Sequence, residues 1–140
     1  MTERPTISFA QAQAALQAML EKATQTPDKP VAIAIVDEAG NLLAYAQMDN
    51  LRLFARRHAF RKAYTAAITG MNSGAHTKRI MDSGFTVSDW GGDPNLTPGT
   101  GGVVVRSGGG IIVGGIGVGG YPSGQMDEEL AEVGLQTMNL

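Results

Sequence analysis

Ala12, Ala15, Leu16, Met19 and Ala23 recur at three- and four-residue spacing, the period of an amphipathic helix. Ser8-Phe9-Ala10-Gln11 in front of them has the form of a capping box. A first helix is therefore predicted from about Phe9 to Ala23, closed off by Pro27 and Pro30. Val31 to Val36 is apolar at every position, which reads as a strand buried on both sides. Asp37-Glu38-Ala39-Gly40-Asn41 reads as a hairpin loop with glycine where a positive φ is expected, and Leu42 to Met48 as the returning strand. A long helix rich in Ala, Arg and Lys is predicted from Leu53 to about Met71, and a short one over His76–Met81. Gly84 to Gly102 reads as a loop carrying Trp90-Gly91-Gly92-Asp93-Pro94 and Pro98. Long loops in compact domains are often functional.

Twelve of the nineteen glycines fall between Gly99 and Gly124, threaded through short apolar runs. Glycine costs roughly 1 kcal/mol per residue in a helix interior, whereas Val103–Val105 and Ile111–Val113 are β-branched and favour strands. The stretch is thus neither helix nor linker, and two or three core strands are predicted. Glycine inside a strand marks a bulge, a bend or a close approach to the backbone, which makes this segment a candidate pocket wall or subunit interface. Asp127 to Met138 reads as a final helix, with acids in its first turn where the helix dipole favours them. Hairpin-linked strands with helices at both ends predict one α+β domain over residues 1–140, an antiparallel sheet covered by helices.

Composition narrows the partners. A hydrophobic content of 43% with 17% charged residues describes a globular chain. A net charge of −2 provides no global attraction to nucleic acid or an anionic membrane. No apolar run approaches the roughly 18 residues of a membrane span. Met1-Thr2-Glu3-Arg4-Pro5 does not open a signal peptide, so a cytoplasmic protein is expected. The absence of cysteine excludes disulfides, thiolate metal sites and cysteine nucleophiles.

Seven of the eleven Lys and Arg residues, and both histidines, lie between Arg52 and Arg79. Within them His58, Lys62 and Thr65 stand at i, i+4 and i+7 and share a helix face, with Arg57 and Arg61 beside them. Imidazole and ammonium groups together can bind a carboxylate and transfer a proton, and a lysine desolvated beside cations can act as base or nucleophile. The plainer reading is that Arg52, Arg56, Arg57 and Arg61 form a solvated or interface face. Gly115-Ile116-Gly117-Val118-Gly119-Gly120 matches G-x-G-x-x-G, but the dinucleotide fingerprint needs a βαβ unit and an acid about 20 residues later, where this sequence stops. His58 and His76 lack metal-ligand spacing, so no metal site is predicted, although a single histidine or methionine suffices as an axial haem ligand. Asp127-Glu128-Glu129 is most simply read as capping and dipole pairing.

Several segments in order resemble the GlcG/HbpS-like family, also called the haem-degrading domain family. They are Val31 to Asp37 with Gly40-Asn41-Leu42, Gln47-Met48-Asp49, Lys62-Ala63-Tyr64-Thr65-Ala66, Ile112 to Gly120, and Gln125-Met126-Asp127-Glu128. The resemblance implies a profilin-like or PAS-like α+β domain that self-associates into a dimer or higher homo-oligomer. It also implies a ligand such as haem, cobalamin or iron for some members, and a place in small-molecule catabolic operons for others. This sequence departs from the family pattern at Ala55 and Arg57-His58-Ala59, and at Gly70-Met71-Asn72-Ser73-Gly74; the added cations favour a smaller anionic ligand. Two functions stay open. One is a binding protein for haem or a related anionic cofactor. The other is a small catabolic enzyme acting on a carboxylated or oxo substrate, with His58 and Lys62 as acid/base pair. Either way the site is expected where the His58-Lys62-Thr65 face meets the glycine-rich strands. Arg57, Arg61, Thr65, Gly115 and Gly117 are its candidate ligand-binding residues, and the Trp90–Pro98 loop its cover.

Overall fold

Ser8 and Gln11 close the capping box in both directions: the Gln11 N–H donates to Ser8 Oγ (3.0 Å) and the Ser8 N–H to Gln11 Oε1 (2.8 Å). Two otherwise orphaned N–H groups are thereby satisfied at the start of α1, Phe9–Ala23. This computed structural model describes residues 4–86, 89 and 92–140. Among them the chain continues through β1 (Ala32–Asp37), β2 (Leu42–Gln47), α2 (Leu53–Thr69) and α3 (Ser73–Asp82). It ends with β3 (Gly102–Arg106), β4 (Ile112–Gly119) and α4 (Gly124–Met138). The strands form one antiparallel sheet in the order β2-β1-β4-β3. The β1–β2 hairpin turns at Gly40, φ +82°, where Asp37 Oδ1 accepts the Ala39 and Asn41 N–H groups at 2.9 Å.

Helices cover both faces of the sheet. On one, Ile33 and Ile35 of β1 join Val103, Val105, Ile116 and Val118 against α1 and α4. Full burial of each such side chain contributes about 1.5–3 kcal/mol. On the other, Ala32, Ala34 and Val36 meet the alanine stripe of α2. That stripe is the reason for the glycines of β4. Ala55, Ala59, Ala63 and Ala67 stand four apart; Gly115, Gly117 and Gly119 stand two apart and lie directly under the α2 backbone at those alanines. Four helical residues rise about 6 Å and two strand residues about 6.7 Å, so the two repeats stay in step for three contacts. A methyl on Gly115 would overlap the Ala63 carbonyl, and one on Gly117 the Ala59 carbonyl. The glycine-rich strands are core, as their β-branched neighbours predict.

Some boundaries moved. The short helix starts at Ser73, not His76, and the last at Gly124, not Asp127. The α4 start is set locally, by Ser123 Oγ accepting the Met126 N–H (3.2 Å), and the α3 start by distant partners. Asn72 Oδ1 accepts the Val104 N–H (3.0 Å), while Ser73 Oγ donates to Gly99 O (2.7 Å) and accepts the Gly102 N–H (2.9 Å), tying α3 to β3. The glycine-rich region forms two strands; no third is present among the described residues.

Candidate functional site

Docking α2 on β4 through its alanine stripe leaves the flank bearing His58 and Lys62 turned toward the end of β4 and the segment before β3. There a cavity of about 380 Å³ opens between the first turns of α2, residues 97–100, residues 119–121 and the start of α4. Lys62 reaches its floor and is 7% exposed. Its Nζ donates to Val118 O (3.0 Å) and to Asp127 Oδ2 (2.9 Å). The other oxygen, Asp127 Oδ1, accepts the Tyr121 N–H at 3.1 Å. The aliphatic stem of Lys62 runs past Gly99 and Gly101, and a Cβ on Gly101 would stand 2.9 Å from Lys62 Cδ and 2.7 Å from Val118 O. Gly101 also has φ +136°, so both space and backbone exclude a side chain.

The wall opposite is held by hydroxyls. Thr65 Oγ1 donates to Arg61 O (2.8 Å) and accepts the Thr97 N–H (3.0 Å); Thr77 Oγ1 donates to Pro98 O (2.9 Å). Thr65 is fully buried and anchors the segment carrying Thr97 and Pro98, which line the cavity. Of the expected Trp90–Pro98 cover, Thr97 and Pro98 are at the cavity, while Trp90 and Gly91 lie outside the described residues. Half-buried His58 sits at the mouth with its ring stacked on Phe54, centroids 4.0 Å apart. Its Nδ1 is 2.8 Å from Phe54 O. A carbonyl only accepts, so Nδ1 carries the proton, and in the neutral ring Nε2 keeps the free lone pair. Arg52, exposed at the N-cap of α2, completes the rim.

The other predicted residues are elsewhere. Arg57 and Arg61 precede His58 and Lys62 by one position, about 100° around the helix. They line a separate groove of about 440 Å³ with Arg56, Leu42, Tyr45 and Phe60. Gly115 and Gly117 are pressed under α2 and make no wall of the cavity; Gly119 and Gly120 do. His76 lies buried on α3 and does not line it. Asp127 stands in the first turn of α4, as the sequence predicts, and is in addition the partner of Lys62. The dipole reading used only local position, whereas the pairing depends on where α2 and α4 dock. Its spacing from Lys62 carried no signal for this pairing.

Burial pushes the Asp127 carboxyl above its usual value, outweighing the opposing pull of Lys62 and the Tyr121 N–H. The folded state therefore holds this proton more tightly than the unfolded chain does. The group's contribution to stability is greatest below the ordinary carboxylate range and falls as pH rises through the raised value. Asp127→Asn abolishes that dependence. Melting temperatures measured from acidic to neutral pH are expected to show the native chain losing stability relative to Asp127→Asn as pH rises. A flat difference, or one moving the other way, contradicts this assignment.

The sequence matches the model of the haem degrading protein HbpS-like family over residues 7–136. No curated protein matches it at a significant level. Among solved structures it is similar to a double mutant of HbpS from Streptomyces reticuli, with 31% identity and a TM-score of 0.84, covering 97% of this chain and 89% of that one. Two more distant structures share the fold. The ORFY protein of Klebsiella pneumoniae is 23% identical, with a TM-score of 0.86 over 99% of this chain and 94% of its own. The PduOC structure, a complex with haem, is 23% identical, with a TM-score of 0.84 over 96% of each chain. The match along nearly its whole length and the shared architecture make this chain a member of the HbpS-like family of haem-degrading proteins.

Proposed function

We propose that this protein binds a small anionic ligand of the haem class in the cavity between His58, Lys62 and Arg52. The observation that carries the reading is the state of His58. Its Nδ1 is engaged by a backbone carbonyl and its ring is steadied by Phe54, so Nε2 is the nitrogen left to coordinate. Histidines that ligate metals are commonly oriented in this way by a second hydrogen bond. Around it stand donors suited to carboxylates: the cation Arg52 at the rim, and Lys62, whose charge Asp127 balances but which has one ammonium proton beyond the two already engaged. These are the residues that would hold haem, His58 through its free Nε2 and Arg52 and Lys62 through their N–H donors to its carboxylates; bound haem would supply a redox-active iron. The family membership and the haem complex of PduOC support the same class of ligand.

Haemin added to the purified protein is expected to give a saturable Soret shift. His58→Ala abolishes the shift, and Arg52→Ala weakens binding about tenfold, the equivalent of one charge-assisted contact. Non-saturable adsorption, or an unchanged titration of His58→Ala, overturns the reading. A second reading, an enzyme acting on a carboxylated oxo compound, is favoured by a different observation, the Lys62–Asp127 pair on the cavity floor.

A further inference from the structure

We propose that Lys62 and Asp127 form an amine–acid pair that condenses reversibly with the carbonyl of a small 2-oxo acid. This rests on the second reading of the cavity and does not require haem. Three features of the geometry carry it. Lys62 is the one lysine of the four that is buried, yet it lines a cavity open to solutes, whereas Lys22, Lys29 and Lys78 are exposed on the surface. Its nitrogen touches a carboxylate that is itself buried, at 2.9 Å. The space around the end of its stem is kept clear by Gly99, where a Cβ would stand 3.1 Å from Lys62 Cε.

The charges select the substrate. Lys62 and Asp127 neutralise each other, so among the described residues the cation left uncompensated at the cavity is Arg52. That balance suits a single carboxylate. His58 lies one helical turn from Lys62, about 6 Å along α2. A compound whose carbonyl reaches Nζ therefore brings a carboxylate on the adjacent carbon toward His58 and the rim. The substrate class that follows is a short 2-oxo acid.

The step balances within the pair. The Lys62 ammonium passes a proton to the Asp127 carboxylate, and burial of that carboxyl favours its protonated form. The neutral amine attacks the carbonyl carbon, forming the C–N bond, and a proton moves from nitrogen to oxygen to give the carbinolamine. Asp127 returns its proton to the carbinolamine hydroxyl, which leaves as water as the C=N bond forms. The products are a protonated iminium, one water and the Asp127 carboxylate restored as counter-ion.

Trapping tests this on the intact native chain. Pyruvate with sodium cyanoborohydride reduces any iminium to a stable secondary amine, and peptide mass spectrometry locates it. The expected result is a saturable adduct on Lys62, forming about tenfold faster than on any exposed lysine. Acetone, which lacks the carboxylate, labels without saturation. Arg52→Ala raises the pyruvate concentration for half-labelling and leaves the adduct on Lys62. Asp127→Asn, unable to take or return the proton, slows Lys62 to the rate of the exposed lysines. Adducts confined to Lys22, Lys29 and Lys78, or none at Lys62, overturn the proposal, and native-like labelling in Asp127→Asn overturns the role of that carboxyl. Failure of trapping while haemin still binds removes only this inference. Trapping without saturable haemin binding removes the haem reading and leaves this one.

Discussion

Gly117→Ala is expected to lower the melting temperature by about 10 °C or to prevent folding. The new methyl would overlap the Ala59 carbonyl and stand 2.5 Å from the Ala63 nitrogen, both backbone atoms of α2. No side-chain rotation relieves that clash, so the helix must lift from the sheet. Overpacking costs typically 1–3 kcal/mol and more where nothing can give. About 3 kcal/mol corresponds to about 10 °C in a chain of this size. Lifting α2 also separates Lys62 from Asp127, so ligand binding should fail with stability. Gly108→Ala is the control. It lies in the β3–β4 turn, where an added Cβ meets nothing within 4 Å, and should shift the melting point little. Thermal unfolding by circular dichroism compares the two, and equal melting points would refute the close-approach account of the β4 glycines.

Asp127→Ala is expected to destabilise the protein by about 3–5 kcal/mol, because it leaves the buried Lys62 ammonium without its side-chain acceptor. It also leaves the Tyr121 N–H without its acceptor. Lys62→Met should cost less, since an isolated Asp127 can take up a proton, and burial already inclines it to do so. The double variant, with neither charge, should recover most of the loss of Asp127→Ala, as apolar replacement of buried pairs often does. The resulting coupling, measured by denaturant unfolding of all four proteins, is expected to be about 2–3 kcal/mol. Additive single effects, each below about 1 kcal/mol, would place the pair among weak surface bridges instead.

Glycine-rich strands and the cavity show where reading a sequence succeeds and where it stops. The capping box at Ser8 and Gln11 is four consecutive residues, and its hydrogen bonds formed as the motif predicts. Val103–Val105 and Ile112–Val113 are β-branched, and they lie in strands despite the surrounding glycine. His58 and Lys62 share a helix face by spacing alone, and both line the cavity. Arg57 and Arg61 do not, although they are adjacent in sequence. The spacing of four in Ala55, Ala59, Ala63 and Ala67, set beside the spacing of two in Gly115, Gly117 and Gly119, was a legible signal for how α2 docks. It also implies that those glycines serve helix packing and not ligand contact, which the structure bears out for Gly115 and Gly117.

By itself the sequence determined the element types, the α+β class and the basic face of the long helix, because these depend on backbone preference and on periodicities of two and 3.6 residues. Tertiary structure alone decided which flank of α2 faces a cavity, since a step of about 100° around the helix separates Lys62 from Arg61. It alone joined Lys62 to Asp127 across 65 positions and turned an acid of the first helical turn into a buried counter-ion. Such a pairing follows from where two helices dock on opposite faces of one sheet. No local preference encodes that geometry, because the energy that sets it comes from burying the alanine stripe and the apolar core.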